Sequence, residues 1–146
     1  METKNRVLIV EDELVIASDL ESILSKNNYV VTDICNSSKK AISSLMNNTP
    51  DIVLLDINLQ GDLNGIEIAN LINEKYKIPF IYITAYSDPK TVEYTKFTEP
   101  YGFIIKPFDP KKLLSMIKIS FYKHKTIEIR TQTILNEISK NKLIGV

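Results

Sequence analysis

Four apolar runs in this 146-residue chain end in side chains able to do chemistry. Val7 to Val10 leads into Glu11-Asp12-Glu13, Ile52 to Leu55 into Asp56, Phe80 to Ile83 into Thr84-Ala85, and Phe103 to Ile105 into Lys106-Pro107. Each alone has a bland reading. Asp12 or Glu13 can cap the next helix, Thr84 can close a turn, and Lys106 can sit solvated at a strand end. If the four runs are neighbouring strands, about 4.8 Å apart, the same residues converge on one pocket. Converging carboxylates repel one another and raise each other's pKa, a penalty that a hard divalent cation with oxygen ligands removes. Mg2+ suits such a pocket, because it takes one or two carboxylates, keeps several waters and bridges to phosphate. The Thr84 hydroxyl and the Lys106 ammonium would then face phosphoryl oxygens, with Ala85 leaving room beside them. Pro107 biases the lysine's backbone toward extended conformations and helps to aim it; a cis bond between the two is left open. Asp56 is the expected phosphate acceptor.

The elements that must position these residues alternate between strand and helix. Apolar runs recur at Val7 to Val10, more loosely from Tyr29 to Cys35, and at Ile52 to Leu55, Phe80 to Ile83 and Phe103 to Ile105. Between them fall helical spacings: Ile16, Leu20, Ile23 and Leu24; Ala41, Ile42, Leu45 and Met46; Ile68, Ala69, Ile72 and Tyr76. Ser87 to Phe97 is the weakest helix, with Val92 nearly its only apolar anchor, and a final helix begins near Asp109 with Leu113, Leu114, Ile117 and Phe121 on one stripe. Pro50 and Pro79 stand just before strands, where a missing N–H matters least. Five βα units predict an α/β doubly wound, flavodoxin-like, five-stranded parallel sheet of order 2-1-3-4-5 with helices on both faces and a C-terminal helical extension. Thr32 and Asp33 suit the second run to an edge. The third run, apolar without a break, suits a strand buried on both faces.

Composition narrows the function classes. Hydrophobic content of 44% with 25% charged residues is globular, and the apolar runs are too short for a signal peptide or a membrane helix, so a cytoplasmic protein is expected. One cysteine, Cys35, and one histidine, His124, exclude a disulfide framework and a Cys/His metal cluster. Charge is unevenly spread: residues 1–62 hold ten acids and five bases, a net of −5, and residues 107–146 hold three acids and eight bases, a net of +5. The acidic half can attract a cation. For the basic tail a solvated helix face is preferred, and direct DNA binding is disfavoured because no segment of helix-turn-helix size follows.

In order along the chain, Glu11 and Asp12, Asp56, Asn58, Thr84 with Ala85, Phe103, and Lys106-Pro107 make the sequence resemble a two-component response-regulator receiver domain over about residues 5–124. The domains are accordingly read as 1–124, receiver, and 125–146, helical extension or linker. The resemblance implies that Asp56 receives a phosphoryl group from a phosphohistidine on a sensor histidine kinase or phosphotransfer protein. It implies that Asp12, Asp56 and the backbone carbonyl of Asn58 bind Mg2+, with Glu11 assisting indirectly, and that Thr84 and Lys106 hold the phosphoryl oxygens. Phosphorylation would draw Thr84 inward and let Phe103 move into the vacated space, and the readout would be the face of the fourth helix, fifth strand and fifth helix, roughly Asp88 to Lys123. Homodimers through that face would be in keeping with the family, and the C-terminal helix is a second candidate dimer surface.

The chain departs from the family pattern after Asp56, where Asn58-Leu59-Gln60-Gly61-Asp62-Leu63-Asn64-Gly65 is one residue longer, with Gln60 where proline is usual. This loop and Glu99-Pro100-Tyr101-Gly102 resemble receivers that stand alone or join sensor or histidine-kinase modules, so a fragment of a hybrid sensor kinase is the alternative reading. Tyr86, placed to shade the hydrolytic water, predicts slow self-dephosphorylation as the chain's only chemistry of its own. A haloacid-dehalogenase-type phosphatase would want an acid where Asn58 stands, and a flavin binder would not place Glu11-Asp12-Glu13 at its phosphate loop. A binding-only pseudo-receiver would not need the intact acceptor set. Ile127, Thr131, Ile134 and Ile138 form a short seam of alternating four and three spacing, read as a frayed amphipathic extension ahead of a dimer stalk or kinase-linking helix. His124 is read as a surface helix residue and Cys35 as edge-strand packing.

Overall fold

The computed structural model describes residues 4–59, 63–85, 93 and 95–143. The expectations for Gln60 to Asp62 and Tyr86, and for most of the helix from Ser87 to Phe97, lie outside the described residues. Strands β1 (Asn5–Val10), β2 (Tyr29–Cys35), β3 (Ile52–Asp56), β4 (Phe80–Thr84) and β5 (Gly102–Ile105) form one parallel sheet in the order β2-β1-β3-β4-β5. That is the order expected from the sequence. All five residues of β3 and of β4 are buried, which is why neither shows polar alternation. At the β2 edge the register slips between Val7 and Leu8, so Val7 faces Val31 while Leu8 faces Asp33. The bulge falls on the polar Thr32, whose hydroxyl donates to the Val7 carbonyl.

Helices α1 (Leu14–Lys26), α2 (Ser38–Asn47) and α3 (Gly65–Leu71) and a C-terminal helix (Pro110–Leu143) cover the sheet. One core lies on the α2 and α3 side, centred on Leu8, Val10, Leu55, Phe80 and Tyr82 with Leu45, Ile68 and Ile72. The other joins Val7, Ile9, Leu54 and Ile83 to Leu20 and Leu24 of α1 and to Leu113 and Ile117 of the C-terminal helix. The buried stripe of α2 is Ser38, Ala41, Ser44 and Leu45. Met46, expected on that stripe, is exposed; the small serines let α2 rotate closer to the sheet than its most apolar side would suggest. Beyond α3 the chain makes a π-helical turn over Ile72–Tyr76, closed by Lys77 in the left-handed region with its N–H on the Ile72 carbonyl.

The C-terminal helix runs unbroken through residues 125–143, well past the core. No described helix is long and apolar enough to cross a membrane. His124 is half-buried: Tyr101 Oη lies 3.0 Å from its Nδ1 and Glu128 Oε1 lies 3.1 Å from its Nε2.

Candidate functional site: a carboxylate pocket at the carboxyl edge of the sheet

Because β1 and β3 are adjacent and parallel, the residues that follow them emerge side by side. One carboxylate oxygen from each of Glu11, Asp12 and Asp56 lies within 4.8 Å of the others. Glu11 and Asp56 are buried at 1% and 3% exposure and Asp12 is half-buried, so the repulsion among them is poorly screened. Glu13 is the N-cap residue of α1 but makes no side-chain cap hydrogen bond, so capping does not account for its acidity.

Lys106, next after β5, reaches across to these acids. Its Nζ lies 2.5 Å from Glu11 Oε1, 3.4 Å from Glu13 Oε1 and 3.6 Å from Asp56 Oδ2, and its side chain is 8% exposed. Burial pulls Lys106 down, but its contacts with Glu11, Asp56 and Glu13 outweigh that and hold the ammonium above its usual value. For Glu11, burial and then its hydrogen bond to Asp56 push the carboxyl up to about 7, against the pull of Lys106. Glu11 Oε1 has no hydrogen bond of good geometry despite its closeness to Lys106. Lys106 is the one ammonium paired with Glu11, Glu13 and Asp56, and Asp12 adds a fourth carboxylate, so acids outnumber the base in the pocket and favour a cation there. The donor set is all oxygen, and the burial and the nearness of Asp56 that oppose ionisation of Glu11 are the strain a hard cation relieves. The residues present therefore fit Mg2+.

Backbone geometry fixes the acceptor. Asn58 N–H donates to Asp56 Oδ1 at 3.0 Å, while the Asn58 side chain is exposed. Leu59 turns back into the core, anchoring the loop just past the acceptor. Asn64 caps α3 by accepting from Glu67 N–H at 3.0 Å. Gly65 packs directly under the acceptor: a Cβ there would stand 2.2 Å from the Asp56 carbonyl oxygen and 2.9 Å from Ile57 Cα. The Asn64-Gly65 pair reads in sequence only as a turn into a helix. This second demand on the glycine carries no local signal.

Thr84, the last residue of β4, is buried at the same edge, and Lys106 N–H donates to its carbonyl at 2.7 Å. Ala85 beside it is exposed. The Lys106–Pro107 peptide bond is cis. Phe103 on β5 sits beside Tyr82 on β4, ring centroids 5.6 Å apart and planes inclined by 31°. Tyr82 is two residues before Thr84 and so on the same face of the sheet. Sequence reading missed what Tyr82 does there: its hydroxyl pairs with Thr98 Oγ1 at 2.6 Å, and Thr98 Oγ1 donates to the Thr95 carbonyl. The buried tyrosine thus ties β4 to the segment leading into β5. An apolar strand with one tyrosine hints at a buried hydroxyl needing a partner, but not at which one.

Residues 7–118 match the family model for the response regulator receiver domain. Among curated proteins, the response regulator ArlR of Staphylococcus saprophyticus is 39% identical over 117 residues, covering 77% of this chain and 50% of that one. The sensory transduction protein LytT of Bacillus cereus is 31% identical over 129 residues, covering 87% of this chain and 51% of its own length. The chain spans about half the length of these curated relatives. Among solved structures, the signal receiver domain of a modulated diguanylate cyclase from Desulfovibrio desulfuricans superposes with a TM-score of 0.81 at 31% identity, over 85% of this chain and 98% of that one.

Proposed function

The chain belongs to the response regulator receiver domain family of two-component signalling, and on that premise we propose that Asp56 is its phosphoacceptor. The observation that carries the reading is the joint placement of Asp56, two further acids and Lys106 in one buried pocket at the carboxyl edge of the sheet. The donor is a phosphohistidine on a sensor histidine kinase or phosphotransfer protein. An Asp56 carboxylate oxygen attacks the phosphorus in line, the P–N bond breaks, and its electron pair stays on the imidazole. Phosphoryl transfer asks the protein for positioning and charge neutralisation more than for covalent chemistry. The Asn58 N–H orients the Asp56 carboxylate, and Gly65 lets the backbone beneath it pack without a side chain. Asp12, Asp56 and the Asn58 carbonyl would hold Mg2+, with Glu11 acting indirectly; when bound, the ion neutralises charge developing on the phosphoryl oxygens. Lys106, now paired with Glu11, is close enough to Asp56 to turn its ammonium to the incoming group.

The switch follows from the same geometry. A phosphoryl group on Asp56 draws the Thr84 hydroxyl toward it, and the space vacated lies on the face where Phe103 leans on Tyr82. The change spreads to the surface of β5 and the first turns of the C-terminal helix. The chain acts as acceptor and switch, with slow self-dephosphorylation its only reaction. Asn58 in place of an acid argues against a phosphatase, which needs a proton donor there.

Intact-mass measurement after incubation with a small phosphodonor tests this. One phosphoryl adduct should form in the presence of Mg2+ on the wild type, and none on Asp56→Asn or in chelator. An adduct that survives Asp56→Asn sinks the assignment.

A further inference from the structure

Lys106 touches its three acids on unequal terms. Glu11 and Asp56 are buried, with side chains 0% and 5% exposed, whereas Glu13 is 60% exposed. Glu11 is the nearest, but among the described residues the hydrogen bond from the Lys106 ammonium, a long one of 3.4 Å, goes to Glu13 Oε1. Asp56 Oδ2, at 3.6 Å, lies beyond hydrogen-bond reach. Glu13 stands at the N-cap of α1, where an acceptor side chain would ordinarily bond the free N–H groups of the first turn, yet it makes no such bond. Its own N–H donates to Glu11 Oε2 at 3.3 Å, which fixes its backbone beside the pocket. The carboxylate is thus turned from its own helix to a lysine 93 positions away in sequence. Glu13 and Lys106 meet in a cleft of about 360 Å3 whose walls include Asp19, Ala85 and Phe108.

We propose that Glu13 is a positioning residue for phosphoryl transfer, one that holds the Lys106 ammonium toward the solvent side of the pocket and so competes with the incoming phosphoryl group for it. The inference rests on Asp56 being the acceptor. Lys106 can serve phosphoryl oxygens only by giving up partners it already has. Glu13 lies outside the cluster of Glu11, Asp12 and Asp56 that suits a cation, so a cation held there does not relieve the lysine of it. An attraction already satisfied before the reaction adds less in the transition state, and the contact with Glu13 therefore slows the transfer. The restraint is modest because Glu13 is exposed: a pair of this kind corresponds to about two- to fivefold in rate. Asp19 lines the same cleft without pairing to Lys106, and so separates the effect of the contact from that of negative charge in the neighbourhood.

The test follows phosphorylation of the full chain by phosphoramidate at saturating Mg2+, read as intact mass over time. Each adduct forms as an Asp56 oxygen bonds phosphorus and the P–N bond breaks, its electron pair leaving on ammonia. Glu13→Gln should raise the rate about two- to fivefold. Glu13→Asp keeps the charge but is one methylene short of Lys106, and should raise it to the same extent. Asp19→Asn removes a charge from the cleft without touching the lysine, and should change the rate little. Glu13 is exposed and bonds none of its own helix, so the urea midpoint of Glu13→Gln should match wild type and a change in rate is not a change in folding. A rate unchanged or lowered in Glu13→Gln, a Glu13→Asp protein that behaves as wild type, or an Asp19→Asn protein accelerated as much as Glu13→Gln would each overturn the inference. If wild type takes up no phosphoryl group, the reading of Asp56 falls and this inference with it; equal rates in all four proteins remove the role of Glu13 alone.

Discussion

At the scale of single residues, the informative fact is that Glu11 and Lys106 share one burial problem. Without a cation, Glu11 titrates near 7, whereas an ordinary glutamate has a value of 4.5. The folded state therefore holds a proton that the unfolded state has released between those values, and stability falls as pH rises from about 4.5 to about 7. Glu11→Gln removes that slope. In chelator, urea denaturation should show the variant level with wild type at acid pH and ahead of it at pH 8, by on the order of 1–3 kcal/mol. Parallel profiles for the two proteins would show that the charge strain lies elsewhere. Lys106→Met should have the opposite effect, because it leaves buried carboxylates without their counter-charge, and should cost about 3 kcal/mol at pH 8 in the same assay. Addition of Mg2+ should recover part of that loss.

At the scale of elements, two joints between neighbouring segments decide the site's geometry. Gly65→Ala places a methyl group against the backbone of the acceptor residue, where neither partner is a flexible side chain. It should lower the urea midpoint by about 1–3 kcal/mol equivalent and slow phosphorylation of Asp56 as well; an unchanged rate in a folded variant would show that the acceptor tolerates displacement. Tyr82→Phe keeps the ring packing with Phe80 and Phe103 and removes only the hydroxyl bonded to Thr98. Thr98 retains its bond to the Thr95 carbonyl, so the expected cost is about 1 kcal/mol in chemical denaturation. A loss several times larger would mean that the tyrosine hydroxyl organises the whole segment before β5.

At the scale of the molecule, we expect the receiver core and the helical extension to be energetically separate. Ile134, Leu135 and Ile138 are exposed, and Glu128 ties back only to the half-buried His124, at 3.1 Å. A chain ending at His124 should accept phosphate on Asp56 at the wild-type rate. Its thermal midpoint, measured at a concentration where the full chain is monomeric, should fall by no more than about 2–4 °C, the equivalent of about 1 kcal/mol. Strand order and the grouping of Glu11, Asp12, Asp56, Thr84 and Lys106 were legible because each strand is a plain apolar run ending in its functional residue. Local pattern and global fold agree there. Met46 was misplaced because two small buried serines outweighed apolar spacing in setting the rotation of α2.

What the sequence determined by itself is which residues lie at the carboxyl edge, since a parallel sheet of five strands puts every strand end on one side and the residue types there carry the chemistry. What only the tertiary structure decided is who touches whom. Lys106 rests on Glu11 more closely than on Asp56, Gly65 lies against the acceptor's backbone, and Tyr82 holds Thr98. These contacts join residues distant in sequence or reached through loop geometry, so no periodicity records them. They exist only once the two faces of the sheet are packed.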